Sequence, residues 1–125
     1  MTEPKACSCG GGTKAIFACS GCADVGGLAD QVARKLTRDG VGRMFCLAGI
    51  SGKVSGIVKS AEAATKVLVI DGCPLDCAKK TMELAGFGGF MHLNISDAGF
   101  QKGESPANVD NIAAVTQIAA ARMEA

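Results

Sequence analysis

Tryptophan and tyrosine are absent from this sequence, and histidine occurs once. With five phenylalanines as the only aromatics, stacking platforms for nucleic-acid bases are scarce. No excess of one charge is present either: 13 basic against 12 acidic residues give a net charge of +1. That balance supplies no basic patch, so nucleic acid is not expected as a partner. No apolar run approaches the roughly 20 residues of a membrane-spanning helix, and no membrane association is expected. The segment Met1-Thr2-Glu3-Pro4-Lys5 lacks the charged-then-apolar pattern of a secretion signal, so the expected location is the cytoplasm, where thiols stay reduced. A single histidine, His92, also excludes any histidine-rich metal site.

Cysteine is what the chain has in plenty. Seven of its 125 residues are Cys, at positions 7, 9, 19, 22, 46, 73 and 77. An odd number argues against a complete disulfide framework. In a reducing compartment the remaining readings are metal binding, thiol chemistry and burial as small core residues. Apolar residues make up 48% of the chain, enough for the continuous core of one domain. Residues 1–13 read as a flexible tail rich in Cys and Gly, and 14–125 as a single α/β metal-binding domain. Cys7 and Cys9 fall in the tail.

From Ala15 onward, strand and helix patterns alternate. Strands are expected over 15–19, 43–48, 66–70 and 90–95. The third, Val67-Leu68-Val69-Ile70, is the continuous apolar run of a strand buried on both faces. Between the first two, Val25, Leu28, Ala29, Val32, Ala33 and Leu36 recur at helical spacing. Ile50, Val54, Ile57, Val58 and Ala61 repeat it. A third helix is expected over 74–85, with Pro74 in its first turn and Gly86 after its end. A last helix is expected from about Asn108 to Met123. Such alternation implies a parallel sheet covered by helices on both faces, a small doubly wound, flavodoxin- or Rossmann-like α/β fold of four strands. The leading strand order is 2-1-3-4.

In that architecture Cys19, Cys46 and Cys73 fall at or near the carboxyl ends of strands one, two and three. Strands about 4.8 Å apart bring such residues to one edge. Pro74 at the first helical position would make Cys73 the N-cap, with Cys77 one turn on and on the same side. Unpaired N–H groups at that helix end would favour thiolates, and a divalent cation between them would relieve their repulsion. The four thiols thus read as a metal site. Soft thiolates select zinc, copper(I) or iron–sulfur over magnesium or calcium; zinc is the expected metal and an iron–sulfur cluster the alternative. Cys46, inside an apolar strand, reads also as a core residue.

Four segments carry a resemblance: Phe17-Ala18-Cys19-Ser20-Gly21, Ala23-Asp24-Val25-Gly26, Met44-Phe45-Cys46-Leu47-Ala48-Gly49-Ile50, and Ile70-Asp71-Gly72-Cys73-Pro74-Leu75-Asp76-Cys77-Ala78-Lys79-Lys80-Thr81. Together they resemble the DGC-domain family of zinc-binding proteins, named for the tripeptide Asp71-Gly72-Cys73. The resemblance implies zinc held by Cys19, Cys46, Cys73 and Cys77, and implies no particular reaction. Cys22 departs from the small residue expected there. It reads as a neutral substitution, with an alternative ligand or a redox partner of Cys19 as the sharper readings.

Other signals are weaker. Gly49-Ile50-Ser51-Gly52-Lys53-Val54 lacks the glycine and the hydroxyl residue of a phosphate-binding loop, since Leu47 and Val54 stand in those places. His92 reads as a packed or surface strand residue, and Asp24, Asp71 and Asp76 as caps and supports around the cysteines. Two functions remain open: a zinc-binding protein, or a thiol-active protein handling redox equivalents, persulfide or another soft ligand at the same cysteines. The sequence names no catalytic residue and no protein partner.

Overall fold

The computed structural model of the protein describes residues 12–124. The tail and its Cys7 and Cys9 lie outside them, apart from Gly12 and Thr13. Thr13 is already tied down, its carbonyl accepting the Thr65 N–H at 2.8 Å.

The elements are β1 (Lys14–Ala18), α1 (Asp24–Arg38), β2 (Arg43–Met44), α2 (Leu47–Ser51), α3 (Ser55–Ala63), β3 (Lys66–Asp71), α4 (Cys77–Leu84), β4 (Met91–Asn94), a 3-10 turn (Ile95–Ala98) and α5 (Val109–Glu124). All strand pairs are parallel, in the order β2-β1-β3-β4. The fold is therefore the expected small doubly wound α/β type.

Alternation along the central strands builds two separate cores. Ile16, Ala18, Leu68, Ile70 and Leu93 face α1 and α5. Ala15, Phe17 and Val69 face α2, α3 and α4 through Ile50, Ala61, Ala78 and Met82. The α1 stripe is fully buried from Val25 to Leu36, as its helical spacing requires.

Strand β2 is much shorter than the expected 43–48. Phe45 still donates its N–H to the Ile16 carbonyl at 2.9 Å, but the chain then turns into α2 with Cys46 at its N-cap position. Within α2, Gly49 is buried against Ile57, whose side chain occupies the space a Cβ would need. The expected second helix is likewise two helices. Gly52 closes α2, and Lys53 takes a left-handed conformation (φ 56°) before α3 begins. Strand β4 ends at Asn94, because the Asn94 side chain accepts the Ser96 N–H and starts the 3-10 turn.

Doubly wound sheets have a point where neighbouring strands send their chains to opposite faces, and a crevice opens there at the carboxyl edge. Here it lies between β1, which feeds α1 on one face, and β3, which feeds α4 on the other. The crevice is closed down by glycines. A Cβ on Gly72 would collide with the Val25 carbonyl and lie 2.8 Å from the Gly26 nitrogen, and one on Gly26 would lie 2.7 Å from the Gly21 carbonyl oxygen. The first turn of α1 thus sits directly on the loop after β3, which explains the glycine of Asp71-Gly72-Cys73 by contact rather than by conformation.

Gly72→Ala is expected to destabilise the protein by about 1–3 kcal/mol, the usual cost of forcing extra carbon into a packed contact. Gly56→Ala, where a Cβ meets nothing within 4 Å, is the control and should be neutral or better. Urea denaturation of the two variants checks this.

Candidate metal and thiol centre at the carboxyl edge

Cys19 follows β1 directly and donates its N–H to the Ile70 carbonyl at 2.9 Å, extending the β1–β3 ladder by one bond. Its thiol is half-buried against the α2–α4 core. Cys73 follows β3 and is half-buried on the α1–α5 side. Cys77 opens α4 and is exposed. Cys46 precedes α2 and is exposed, as is Cys22 ahead of α1.

Burial pushes the Cys19 thiol up from its ordinary pKa, and a backbone hydrogen bond from Gly21 acts against the rise. Negative charge at Asp71, Cys77 and Cys73 then adds to it. Cys19, Cys73 and Cys77 therefore share one electrostatic neighbourhood, with Asp71 in its midst. Among the described residues no three of the thiols come within 4.8 Å of one another, whereas ligand atoms of Asp71, Asp76 and His92 do.

The end of α4 differs from the expectation, and Asp71 is the reason. Cys73 is not the N-cap. Residues 73–76 form a turn, Asp76 takes the N-cap position in a left-handed conformation (φ 56°), and the helix starts at Cys77. Asp71, 1% exposed, reaches over from the end of β3. Its Oδ1 accepts the Ala78 N–H at 2.7 Å and its Oδ2 the Lys79 N–H at 2.9 Å. The donors expected to favour thiolates are thus spent on a carboxylate. A third bond, 2.8 Å, joins Asp71 Oδ2 to His92 Nε2.

His92 is therefore neither a core filler nor a free surface residue. Its ring is anchored by Asp71, stands 3.6 Å from Asp76 Oδ1, and its carbonyl accepts from Arg122 of α5 at 2.6 Å. Asn94, two residues on and on the same face, donates Nδ2 to the Cys73 carbonyl at 2.9 Å and to Asp76 Oδ1 at 2.7 Å. Ser96 Oγ donates to the Gly72 carbonyl at 2.6 Å. Gly72, Cys73 and Asp76, the first, second and last residues of the segment that turns the chain past Cys73, are thus braced from β4 or its 3-10 turn. The readable signal was the spacing of His92, Asn94 and Ser96, polar at every second position where a half-buried strand ends.

Asp24 braces the other side. Its carboxylate accepts N–H groups from Val25, Gly103 and Ser105 at 2.8, 2.8 and 2.9 Å, linking the α1 start to the loop before α5. The Gly103 and Ser105 bonds, foremost, hold its pKa below the ordinary aspartate value. Beside β1 and β2, a further cleft of about 810 Å³ is bordered by Cys46, Phe45, Leu47, Asp30, Arg34 and Arg38. Ser20 Oγ donates to Asp30 there at 2.7 Å.

Among the described residues, no helix is long and apolar enough to cross a membrane. The sequence model of the DGC domain matches residues 15–120. A protein of Pseudomonas aeruginosa called anaerobic and virulence modulator AnvM is 37% identical over 87 residues, which are 70% of this chain and 66% of that relative. The match thus spans just under two thirds of the relative's length. No solved structure matches the chain.

Two outcomes are expected from these networks. Asp71→Ala strands two helix N–H groups and the His92 ring in a buried site, and should cost about 3 kcal/mol in urea denaturation. Asp24 has a depressed folded pKa, so its contribution is present above the ordinary aspartate range and is lost as pH falls through the lower folded value. Amide protection at Gly103 and Ser105, corrected for the intrinsic exchange rate at each pH, should fall under acid in the wild type, and already be low near neutral pH in Asp24→Ala.

Proposed function

The chain belongs to the DGC-domain family, and we propose that it is a zinc-binding protein whose ligands are Cys19, Cys46, Cys73 and Cys77. The observation that supports this reading is the placement of Cys19 directly after β1, Cys73 after β3 and Cys77 at the start of α4, all at the β1–β3 crevice, where Cys73 and Cys77 also act on the Cys19 thiol. Three thiolates beside a buried carboxylate repel one another, and a dication is the counter-charge that such a set favours. Donor chemistry supports zinc, because sulfur ligands suit a borderline-soft ion. Cys46, at the end of the strand next to β1, supplies the fourth sulfur. A tetrahedral site with Zn–S bonds of about 2.3 Å needs sulfurs about 3.8 Å apart. Cys46 and Cys77 are exposed, so rotating their side chains inward displaces little packing.

Zinc filled by four thiolates offers no open position, so its contribution is to bind and to hold the two crevice loops together. A binding role agrees with the description of the Pseudomonas relative as a modulator. One observation favours a second reading, that of a thiol-active protein: Cys46 borders the cleft between α1 and α2 and is absent from the charges that act on Cys19. Three thiolates would then hold the metal and Cys46 would be free to exchange.

Protein purified without chelator is expected to carry one zinc per chain, measured by elemental analysis. A coloured protein with iron and acid-labile sulfide would replace zinc by the iron–sulfur alternative. Cys19→Ser, Cys73→Ser and Cys77→Ser should each weaken binding more than about 100-fold, beyond the effect of a change outside the ligand set. Cys22→Ser should weaken it far less. Cys46→Ser separates the two readings: an equally large loss supports the four-thiolate site, a small one the three-thiolate site. Affinity should rise with pH, because the thiols, Cys19 above all, must ionise to bind. Cobalt(II) in place of zinc should give the intense visible bands of a tetrahedral thiolate site, and an octahedral oxygen-type spectrum would end the proposal.

A further inference from the structure

The cleft beside Cys46 opens on the β2 side of β1, and Ala18 and Ser20, which flank Cys19, form part of its lining. Its volume, about 810 Å³, falls within the usual range for small-molecule sites. Its base is apolar, with Phe45 and Leu47, and Phe45 is backed by Phe17 at a ring-centroid distance of 6.1 Å. The α1 wall is charged. Arg34 is paired with Asp30 at 2.8 Å, whereas Arg38 makes no ion pair among the described residues. Two guanidinium groups against one carboxylate leave one positive charge uncompensated on the wall. An exposed thiol, Cys46, stands at the border.

An apolar base, an uncompensated guanidinium and a reachable thiol fit one class of ligand. We propose that this cleft binds a small carboxylate-bearing disulfide and presents it to Cys46 for exchange. The carboxylate meets Arg38, the hydrocarbon part lies on Phe45 and Leu47, and a ligand sulfur lies next to Cys46 Sγ. In the exchange step the Cys46 thiolate attacks one sulfur of the disulfide. A Cys46–sulfur bond forms, the ligand's own S–S bond breaks, and the departing half leaves as a thiolate that takes up the proton Cys46 lost. Cys46 is oxidised to the mixed disulfide and the departing half is reduced. The inference rests on the second reading above, in which Cys46 is not a metal ligand, and zinc affinity of Cys46→Ser tests that reading separately from the adduct ratios.

The same molecule holds an internal standard, since Cys22 is also exposed and lies outside the cleft lining. Reduced protein is treated with oxidised glutathione, which carries carboxylates, or with the neutral 2-hydroxyethyl disulfide. Adducts at Cys46 and Cys22 are counted by mass spectrometry of the intact chain and its peptides. Both the protein as purified and a chelator-treated sample, its fold checked by circular dichroism, are used. The expected result is a Cys46:Cys22 ratio about three- to tenfold higher for the anionic probe than for the neutral one at low salt, falling as salt screens Arg38. Arg38→Gln should abolish that preference and leave the neutral probe's ratio unchanged; Arg38→Lys should keep most of it. Equal ratios for the two probes, indifference to Arg38→Gln, or no adduct at Cys46 in either sample overturns the proposal. Zinc content, read separately by elemental analysis, decides the metal reading whatever the adduct ratios are.

Discussion

The carboxylate of Asp71 is the constraint on which the carboxyl edge depends. Buried at the end of β3, it takes N–H groups from the first turn of α4 and a bond from the His92 ring of β4. A buried carboxylate with three donors is satisfied; with fewer it would be costly to keep charged. It therefore fixes where α4 begins, and so how the Cys73-to-Asp76 turn must run. That turn has Cys73 at one end and leads to Cys77 at the start of α4, so the placement of both thiols follows from one side chain that is not a cysteine.

Negative charge at Asp71 also shapes the chemistry. It discourages ionisation of Cys19, as do the neighbouring thiols, and burial does so most of all. Left to itself the crevice keeps Cys19 as a thiol. A cation reverses that balance, since every charge that disfavours a lone thiolate favours a bound dication. The same groups thus oppose free thiolate and favour metal.

Around this centre the molecule is tied from both flanks. Glycines at 21, 26 and 72 let α1 sit against the loop after β3. Asp24 fastens the loop before α5, and Asn94 and Ser96 brace the turn around Cys73. Cys46 stands outside these ties, at the end of a two-residue edge strand and beside its own cleft. The bracing hydrogen bonds gather around Cys73, while Cys46 and Cys77 are exposed.

Alternating apolar patterns were sufficient to determine the parallel sheet and its two helical layers, because each pattern reports a local face that must be buried; the order 2-1-3-4 was only the leading expectation, and the structure decided it. The approximate edge location of Cys19 and Cys73 followed from the same patterns. What the patterns could not contain were contacts between residues far apart in the chain. Arg43-Met44-Phe45-Cys46-Leu47-Ala48 reads as one strand, yet Leu47 and Ala48 open a helix that packs Gly49 on Ile57. Pro74 reads as a helix start, yet α4 begins three residues later because Asp71 takes its first donors. His92 reads as a lone strand histidine, and only the β3–β4 register sets it beside Asp71. Sequence alone determined which faces are buried, a property of single elements; tertiary structure decided where each element ends and which polar groups meet, since those depend on partners that folding brings together.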